Sequence, residues 1–269
     1  MGGNDKEIFM PVRTSIPLSP CSQTAFGDIA YDVVGVALDL YAKMGNKFQE
    51  SVYRSTLRQS LGIRASEEIE INLIHQNFMK KLYMDLVVDS SCVFELKASK
   101  SISPSHTSQL IQYLMLTGLN HGKVISFGGA QIEHKFVNCH MSVDDRREFT
   151  LERIGWADRS CCRSIEQIVV SLIQDWGTGL TAPLYLEAMV RLAKLADKNI
   201  NTFWDVKVTG KQPVHLIEPN HSFEVTCLTE RIESYKSNLV RFLRHTALDA
   251  ILWVNITNGN VRLEKIVKE

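Results

Sequence analysis

Two acidic residues and a lysine, Asp85, Glu95 and Lys97, lie in the otherwise mostly apolar segment of residues 84–98. Buried charges are costly unless they are paired, so these residues need a reason to be there. Two carboxylates held close together repel each other unless a proton or a cation lies between them. The three residues therefore predict half of a metal site with an ammonium group beside it. The alternative is an exposed sheet face on which Lys97 neutralises one acid, because short motifs often match by accident.

A β-hairpin is the element that would bring these residues together. Residues 82–88 alternate between two faces, and after a turn signal residues 92–97 read as the returning strand. In a hairpin that is symmetric about Ser90, Asp85 lies directly across from Glu95, with Cβ atoms about 4.5–5.5 Å apart. The lysine follows the second acid by two residues, so it points from the same face.

The composition is that of a soluble globular protein and limits the classes of partner. The chain has 269 residues, of which 45% are apolar and 22% are charged, and its formal net charge is zero. Any contact with nucleic acid must therefore come from a local basic patch. No apolar run is long enough to span a bilayer, and the N-terminal segment lacks the apolar core of a signal peptide. We therefore expect no membrane partner.

The six cysteines are scattered along the chain without a CxxC motif. This spacing argues against a disulfide framework and against a standard zinc or iron–sulfur ligand set. The neighbourhood of His134, Cys139 and His140 is a weaker candidate for a metal site. The expected location is a reducing cytoplasm.

The periodicity of the apolar residues predicts an α/β domain that is followed by a second domain. The predicted elements of the first are two helices (28–45 and 49–61), a strand (68–74), the hairpin, a helix (103–118) and a buried strand (123–127). The predicted organisation is an N-terminal arm at residues 1–24, a first α/β domain at 25–140, a charged linker at 141–164 and a second domain at 165–269.

An internal repeat predicts that the second domain is a copy of the first. Residues 94–127 align without a gap with residues 223–256, and residues 45–53 align with residues 177–185. Convergent amphipathic patterning is the alternative, but two colinear pieces in the same order favour a tandem duplication.

The second copy lacks most of the polar residues of the candidate site. The aligned pairs are Asp85 and Val214, Lys97 and Thr226, and Glu50 and Ala182, while Glu224 keeps the acid of Glu95. The first copy is therefore expected to carry a site, and the second to be a scaffold that lost it.

Four segments of the first copy, GNKFQESVY, YMDLVV, FELKA and QLIQYLMLTG, occur in this order within residues 28–137. Together they resemble the GxxExxY proteins of the PD-(D/E)XK nuclease superfamily, near its RecB-like branch. The resemblance implies a restriction-endonuclease-like α/β fold, and with the internal repeat the prediction is a tandem duplication of that fold. Each copy would be a mixed β-sheet flanked by helices, with the degenerate copy at residues 165–267. Two positions depart from the pattern: Lys47 stands in place of the first glycine of the motif, and Met84 in place of the proline.

The resemblance implies a divalent-metal nuclease site. Asp85 and Glu95 would ligate the metal together with the backbone carbonyl of Leu96. Lys97 would orient or help to deprotonate the attacking water and offset charge on the phosphate. Hard oxygen ligands favour Mg²⁺ or Mn²⁺ over zinc. A lysine in such a site can have a lowered pKa, which suits proton transfer.

Three further residues join the site by the same resemblance. Glu50 would be an additional acid near the metal, and Gln109 and Tyr113 match the QxxxY element that closes the site in RecB-like members. Spaced four apart, the latter two share a helix face. Each has a structural alternative: a first-turn helix acid for Glu50, an exposed residue for Gln109 and a core residue for Tyr113. Tyr53 is expected to pack rather than to react.

Two functions of different class remain open. The first is a metal-dependent nuclease, a hydrolase of phosphodiester bonds for which DNA is favoured over RNA as the substrate. Its second copy would be an inactive pseudo-nuclease that serves as structure or grips the substrate. The alternative is a non-catalytic module that binds nucleic acid or protein and keeps a vestigial metal site. A protein partner or a homodimer stays open in both cases.

A modest basic cluster in the second copy is the candidate nucleic-acid contact. Its members are Arg231, Lys236, Arg241 and Arg244. Clustered Lys and Arg neutralise phosphates, and this supplies much of the affinity for nucleic acid. A solvated helix face is the alternative.

Overall fold

The chain folds as an α/β protein with two six-stranded mixed sheets, each flanked by helices. A computed structural model describes residues 11–156 and 159–268, so the first ten residues of the expected arm lie outside the described residues. The chain divides into two compact units. Unit 1 contains the described residues up to His75 together with Met79–Val143, and unit 2 contains Gln76–Phe78 and the described residues from Asp144 onward.

The first sheet is formed by strands β1 to β6, in that order. Its elements in chain order are β1 (Val12–Thr14), α1 (Gln23–Met44), α2 (Glu50–Leu61), a 3₁₀ turn (Gly62–Arg64), β2 (Ala65–His75), β3 (Phe78–Val88), β4 (Cys92–Lys97), α3 (Pro104–Thr117), β5 (His121–Ser126) and β6 (Glu133–Asn138). Strands β4 and β5 are parallel, with α3 as the crossover between them. Antiparallel pairing joins β3 to β4 and β5 to β6.

The hairpin of β3 and β4 is symmetric about Ser90, because Leu86 pairs with Phe94 and Val88 pairs with Cys92. These apolar residues share one face, which is buried against α1 and α2 in a core that also contains Phe26, Ala30, Val33, Tyr53 and Leu57. Successive side chains of a strand point to opposite faces. The alternate positions, which include the two acids and the lysine, are thereby turned away from this core.

Local sequence signals fix the ends of the helices that flank the hairpin. Ser22 caps α1 by accepting a hydrogen bond from the Ala25 N–H at 3.2 Å. Ser103 begins α3 in a capping box with Pro104 at the first turn, and Gly118 ends that helix in the left-handed conformation. These caps fix where α3 begins and ends.

The second sheet has the order β7-β12-β11-β10-β9-β8. Its elements are α4 (Val143–Arg147), β7 (Thr150–Ile154), α5 (Ser160–Trp176), α6 (Ala182–Leu192), β8 (Ala196–Trp204), β9 (Lys207–Glu218), β10 (His221–Thr226), α7 (Ile232–Arg244), β11 (Ala250–Thr257) and β12 (Asn260–Val267). Strands β10 and β11 are parallel, and β9–β10 and β11–β12 are antiparallel. The run from β8 to β12 thus repeats the order of β2 to β6, with two helices before it and one helix at the parallel crossover.

Two expected segments differ from the structure. The linker expected at residues 141–164 instead contains α4, the start of α5 and strand β7, which pairs in parallel with β12. Strand β7 was missed because an edge strand with exposed charged residues resembles a polar connection. The arm expected at residues 1–24 contains β1, which pairs antiparallel with β2. Among the described residues, no helix is both long enough and apolar enough to cross a membrane.

Candidate active site

A lysine lies among three carboxylates on the face of unit 1 that is turned away from α1. The Lys97 Nζ atom is 2.6 Å from Oε1 of Glu95, 3.6 Å from Oε1 of Glu50 and 3.9 Å from Oδ2 of Asp85. Three acidic residues predicted from the sequence are therefore within contact distance of the Lys97 ammonium group. Because opposite charges at such distances attract strongly in a partly buried site, Lys97 offsets part of the negative charge of the cluster.

Three elements position these side chains. Asp85 comes from β3, Glu95 and Lys97 come from β4, and Glu50 is the first residue of α2. The Leu96 N–H donates a hydrogen bond to Oδ2 of Asp85 at 2.8 Å, which fixes that carboxylate against the neighbouring strand. The carboxylates on the two strands are therefore held by the hairpin register, while the glutamate of α2 approaches from the edge of the site.

Glu95 is the most unusual member, because its side chain is fully buried and its Oε2 atom has no hydrogen-bond partner among the described residues. Burial raises the pKa of Glu95 to about 8, and the neighbouring charge of Asp85 adds to the rise, while Lys97 opposes it. A buried carboxylate oxygen without a partner costs free energy unless a proton or a cation satisfies it.

The pKa of Lys97 is raised, contrary to the lowered value expected for a proton-transferring lysine. Burial alone lowers the pKa of this ammonium, but the surrounding carboxylates, with Glu95 first, raise it by more. Glu50 also has a raised pKa, since burial favours its neutral form more than the charge of Lys97 opposes it. The cluster therefore retains an extra proton near neutral pH, and the lysine remains charged.

Arg54 is a member of the site that sequence reasoning missed. Its Nη1 atom lies 3.2 Å from Oδ1 of Asp85, and its other nitrogens contact Glu67 and Glu68 at the start of β2. The residue follows Glu50 by four positions on α2, so the two side chains share a helix face. That spacing is the signal that could have found it. The guanidinium holds Asp85 from the side opposite the Leu96 N–H.

Gln109 and Tyr113 lie on α3, where the Gln109 Nε2 donates a hydrogen bond to the Tyr113 hydroxyl at 2.9 Å. Burial raises the pKa of Tyr113 to about 12, and the charges of the site carboxylates contribute to the rise. Neither side chain hydrogen-bonds to a carboxylate within the described part of the chain. The structure thus brings the two residues together, and it places Tyr113 close enough to the site carboxylates for their charges to affect its pKa.

Tyr53 has a structural role. Its hydroxyl donates to the Gly45 carbonyl at 2.6 Å and accepts from the Phe48 N–H at 3.3 Å, and its ring stacks on Phe127. This arrangement fixes the loop that leads into α2 and so positions Glu50. Tyr185 of unit 2 makes the same two bonds, with the Gly177 carbonyl and the Leu180 N–H. Units 1 and 2 therefore share the hydrogen bonds of this loop as well as the order of their strands.

The donor atoms of the cluster fit a hard divalent cation. Glu95 offers an unpartnered buried oxygen, and Asp85 offers a second carboxylate on the adjacent strand. No set of three or more His, Cys, Asp or Glu side chains arranged to hold a metal is found in the described part of the chain. Two carboxylates are sufficient for Mg²⁺, which keeps several waters and is often bound by one or two acids together with substrate phosphates.

The four basic residues predicted as a nucleic-acid contact lie at or near α7 in unit 2. Lys236 is paired with the buried Glu264 at 2.5 Å, which occupies its ammonium group. Arg231 precedes the helix, and Arg241 and Arg244 lie in its last turn, exposed to solvent. The structure therefore places all four residues at or near one helix and gives Lys236 an ion-pair partner within unit 2.

The geometry agrees with a comparison to known families. Residues 27–138 match the family model of the PD-(D/E)XK nuclease superfamily. The match includes all the residues of the carboxylate–lysine cluster and confirms the predicted resemblance at the level of the superfamily. The superfamily is one of nucleases, which generally use divalent metals, so the match suggests a nuclease activity for this part of the chain. The GxxExxY subfamily and the degenerate second copy remain predictions.

The comparison with solved structures gives a distant likeness. The crystal structure of SSO0001 aligns with 15% sequence identity and a TM-score of 0.29. The alignment covers 44% of this chain and 62% of that one, so it spans less than two thirds of the matched structure. No curated protein sequence matches the chain.

Proposed function

We propose that this chain is a divalent-metal-dependent nuclease that hydrolyses phosphodiester bonds at the cluster of Glu50, Asp85, Glu95 and Lys97. The observation that carries the proposal is the unpartnered Oε2 atom of the buried Glu95, beside a second carboxylate and a charged lysine. Either a proton or a metal cation would satisfy this oxygen, and the second carboxylate beside it is the further oxygen ligand that a cation needs. The superfamily match over the same residues supports this proposal.

The metal would be held by Asp85 and Glu95 together with the backbone carbonyl of Leu96, and all-oxygen ligation favours Mg²⁺ or Mn²⁺. When bound, the ion would supply Lewis-acid stabilisation of the phosphoryl oxygens and make a bound water more acidic. Arg54, whose Nη1 atom lies 3.2 Å from Oδ1 of Asp85, would keep that carboxylate oriented.

Lys97 would act as a charged hydrogen-bond donor, because its raised pKa keeps the ammonium protonated. From its place among the carboxylates it would orient the attacking water and offset charge on the phosphate. Glu50 would receive the proton that this water loses. Its side chain is 35% exposed and burial raises its pKa, and both features suit the acceptance of a proton. Gln109 and Tyr113 would close the site from α3.

Unit 2 would be an inactive copy that supports the fold or grips the nucleic acid, and DNA is the favoured substrate over RNA. The second candidate function is a non-catalytic binding module, with nucleic acid or protein as its partner. The observation that favours it is the contact of Lys97 with all three carboxylates, which offsets part of their negative charge without a metal. A protein partner or a second copy of the chain belongs to either proposal.

Cleavage of a mixed panel of labelled single-stranded, duplex and branched DNA and RNA tests the proposal. We expect cleavage with Mg²⁺ or Mn²⁺ that is abolished by EDTA. We also expect a loss of more than about 100-fold in Glu95→Gln, which keeps the size of the side chain but removes the charge.

The matched control is Asp39→Asn, which removes an exposed carboxylate of α1 in the same unit. Cleavage by Glu95→Gln at the rate of the unmodified protein would refute the site. A panel left intact under both metals, with nucleic acid still bound, would favour the binding module.

A further inference from the structure

A cavity of about 350 Å³ lies in unit 2, between strands β9 and β10 and helix α7. It occupies the position that corresponds to the carboxylate–lysine cluster of unit 1 in the alignment of the two sequence repeats. Its lining includes one carboxylate, that of Glu224, which aligns with Glu95. The remaining lining is mostly apolar and aromatic, with Leu186, Val214, Tyr235 and Phe242 among its members.

Glu224 has no cationic partner within the described residues. Its Oε1 atom accepts a hydrogen bond from the Tyr235 hydroxyl at 2.8 Å, and this is its only polar contact in that part of the chain. The residues that align with the cations around Glu95 are neutral: Thr226 replaces Lys97, and Leu186 replaces Arg54. The half-buried carboxylate of Glu224 therefore faces a mostly apolar cavity, and its second oxygen accepts no hydrogen bond from the described residues.

Thr226 does not compensate for the missing lysine. Its hydroxyl donates to Oδ1 of Asn255 at 2.7 Å and accepts from the Trp253 Nε1–H at 2.9 Å. Both bonds belong to a buried network of β10 and β11. The charge on Glu224 must therefore be balanced by solvent or by something that enters the cavity.

The lining favours an organic cation over a metal ion. A divalent metal requires several oxygen ligands, and Glu224 is the one acidic side chain of the cavity wall within the described residues. The rings of Tyr235 and Phe242 instead provide the surfaces on which an alkyl stem or a cation packs. His215, the other ionisable group in the wall besides the tyrosine, is paired with Asp197.

We propose that this cavity binds a primary ammonium group carried on an aliphatic stem, with the ammonium on Glu224 and the stem between Tyr235 and Phe242. An ammonium is favoured over a guanidinium because the Tyr235 hydroxyl already occupies one oxygen of Glu224. A guanidinium binds best when it can donate to both oxygens of a carboxylate, whereas an ammonium acts as a point charge. A lysine side chain of another protein and a free aliphatic amine both present this chemistry. The proposal goes beyond the nuclease function and does not depend on it.

Titration of the full chain with small amines tests the inference. The probes are N-acetyl-lysine methylamide and butylammonium, and the neutral comparison is N-acetyl-norleucine methylamide, which lacks the ammonium. Trp253 gives the readout by fluorescence, because its ring centroid lies 5.4 Å from that of Tyr235. We expect dissociation constants on the order of 1 mM, as for other small fragments, and binding of the neutral compound at least about 10-fold weaker.

The variant Glu224→Gln separates charge from shape, since a glutamine can still accept the Tyr235 hydrogen bond. We expect it to weaken the binding of both amines by about 10-fold or more. Its matched control, Glu230→Gln, removes an exposed charge from the loop after β10 and should leave binding unchanged. Circular dichroism of both variants checks that the fold is retained.

Two outcomes of these titrations would overturn the inference: equal binding of the neutral compound, or unchanged binding of the amines in Glu224→Gln. A third would be tighter binding of cytidine, titrated as a further probe, than of either amine. The last would identify the cavity as a site for a nucleobase. Stronger binding of the lysine derivative than of butylammonium would support a protein side chain as the source, and equal binding would support a free amine. All these readouts are independent of cleavage, so a failed nuclease assay would leave them valid.

Discussion

The buried oxygen Oε2 of Glu95 couples protonation to folding at the level of a single residue. In the folded state burial raises the pKa of Glu95 from 4.5 to about 8. Between these two pH values the folded chain holds a proton that the unfolded chain has lost. Stability therefore falls as the pH rises through this interval, the reverse of the usual behaviour of an acid in a salt bridge.

We predict that the free energy of unfolding in EDTA decreases between pH 4.5 and pH 8 and that Glu95→Gln removes most of this decrease. The slope contributed by one carboxyl group is at most about 1.4 kcal/mol per pH unit. Urea denaturation at several pH values measures it. A Glu95→Gln protein with the same slope as the unmodified chain would show that another group carries the proton.

Individual residues were predictable from the sequence where a strand period fixed their face. Asp85, Glu95 and Lys97 follow from alternation and from one turn, so the structure finds them on one face of the hairpin. Arg54 could not be assigned in this way, because its contact with Asp85 joins a helix to a strand. The direction of the Lys97 pKa shift could not be predicted without the distances from its ammonium to the carboxylates. It depends on whether burial or the three carboxylates have the larger effect.

At the scale of elements, the β3–β4 hairpin holds an unusual turn. Asp89 and Ser90 both have positive φ, 51° and 56°, although neither is glycine. Arg64 holds the turn by donating to both carboxylate oxygens of Asp89, at 2.7–3.2 Å. A slip of one residue in this hairpin would turn Asp85 toward the core. The turn thus secures the register on which the site depends.

We predict that Ser90→Gly stabilises the chain by about 1 kcal/mol, because glycine relieves the cost of the left-handed conformation that Ser90 adopts. Cleavage should be unchanged, since the Ser90 side chain is exposed and lies outside the carboxylate cluster. Urea denaturation gives the measurement. The same replacement at Ser60, in the last turn of α2, should destabilise by roughly 0.5 kcal/mol. A loss of stability in Ser90→Gly would contradict this account of the turn.

The elements were predictable where their apolar periodicity was strong and less so at the edges. The helices and strands around the hairpin follow from their periodicity, and the ends of α3 follow from its serine and its terminal glycine. Helix α1, in contrast, begins at Gln23, before the predicted position 28. Strand β7 could not be found, because three of its five residues are exposed and its partner β12 lies more than a hundred positions away. A prediction from local sequence patterns cannot include a partner strand that is so distant in the chain.

The whole molecule has no net charge, so its affinity for nucleic acid must come from a few local contacts. In unit 2, the arginines in the last turn of α7 are candidates, whereas Lys236 is paired with Glu264. In unit 1, the candidate site carries its own cations, Lys97 and Arg54. A small number of phosphate contacts implies a shallow dependence on salt.

We predict that the double variant Arg241→Ala/Arg244→Ala weakens binding to DNA and lowers the slope of log K against log salt by about 2, since each phosphate contact contributes about 0.9. Fluorescence anisotropy in EDTA measures it without cleavage. The control, Lys43→Ala/Arg58→Ala, removes the same charge from exposed positions of α1 and α2. An equal effect of the two double variants would mean that only the total charge matters.

The organisation into two units was predictable in outline. The repeated order of elements agrees with the sequence repeat, and the parallel strand pair lies at the same place in both sheets. The boundaries were harder to predict, because the segment between the repeats contributes an edge strand to the second sheet instead of remaining a connection. A charged composition is compatible with an exposed edge strand as well as with a connecting loop.

The tyrosine hydroxyls that close the loops before α2 and α6 give each unit an amide hydrogen whose exchange rate measures loop opening. The Phe48 N–H and the Leu180 N–H each donate to such a hydroxyl, at 3.3 and 3.4 Å. An amide hydrogen held in this way exchanges with heavy water only when its loop opens. The ratio of the two exchange rates therefore reports how often the loop beside Glu50 opens compared with its counterpart. No substrate, metal or mutation is needed to read it.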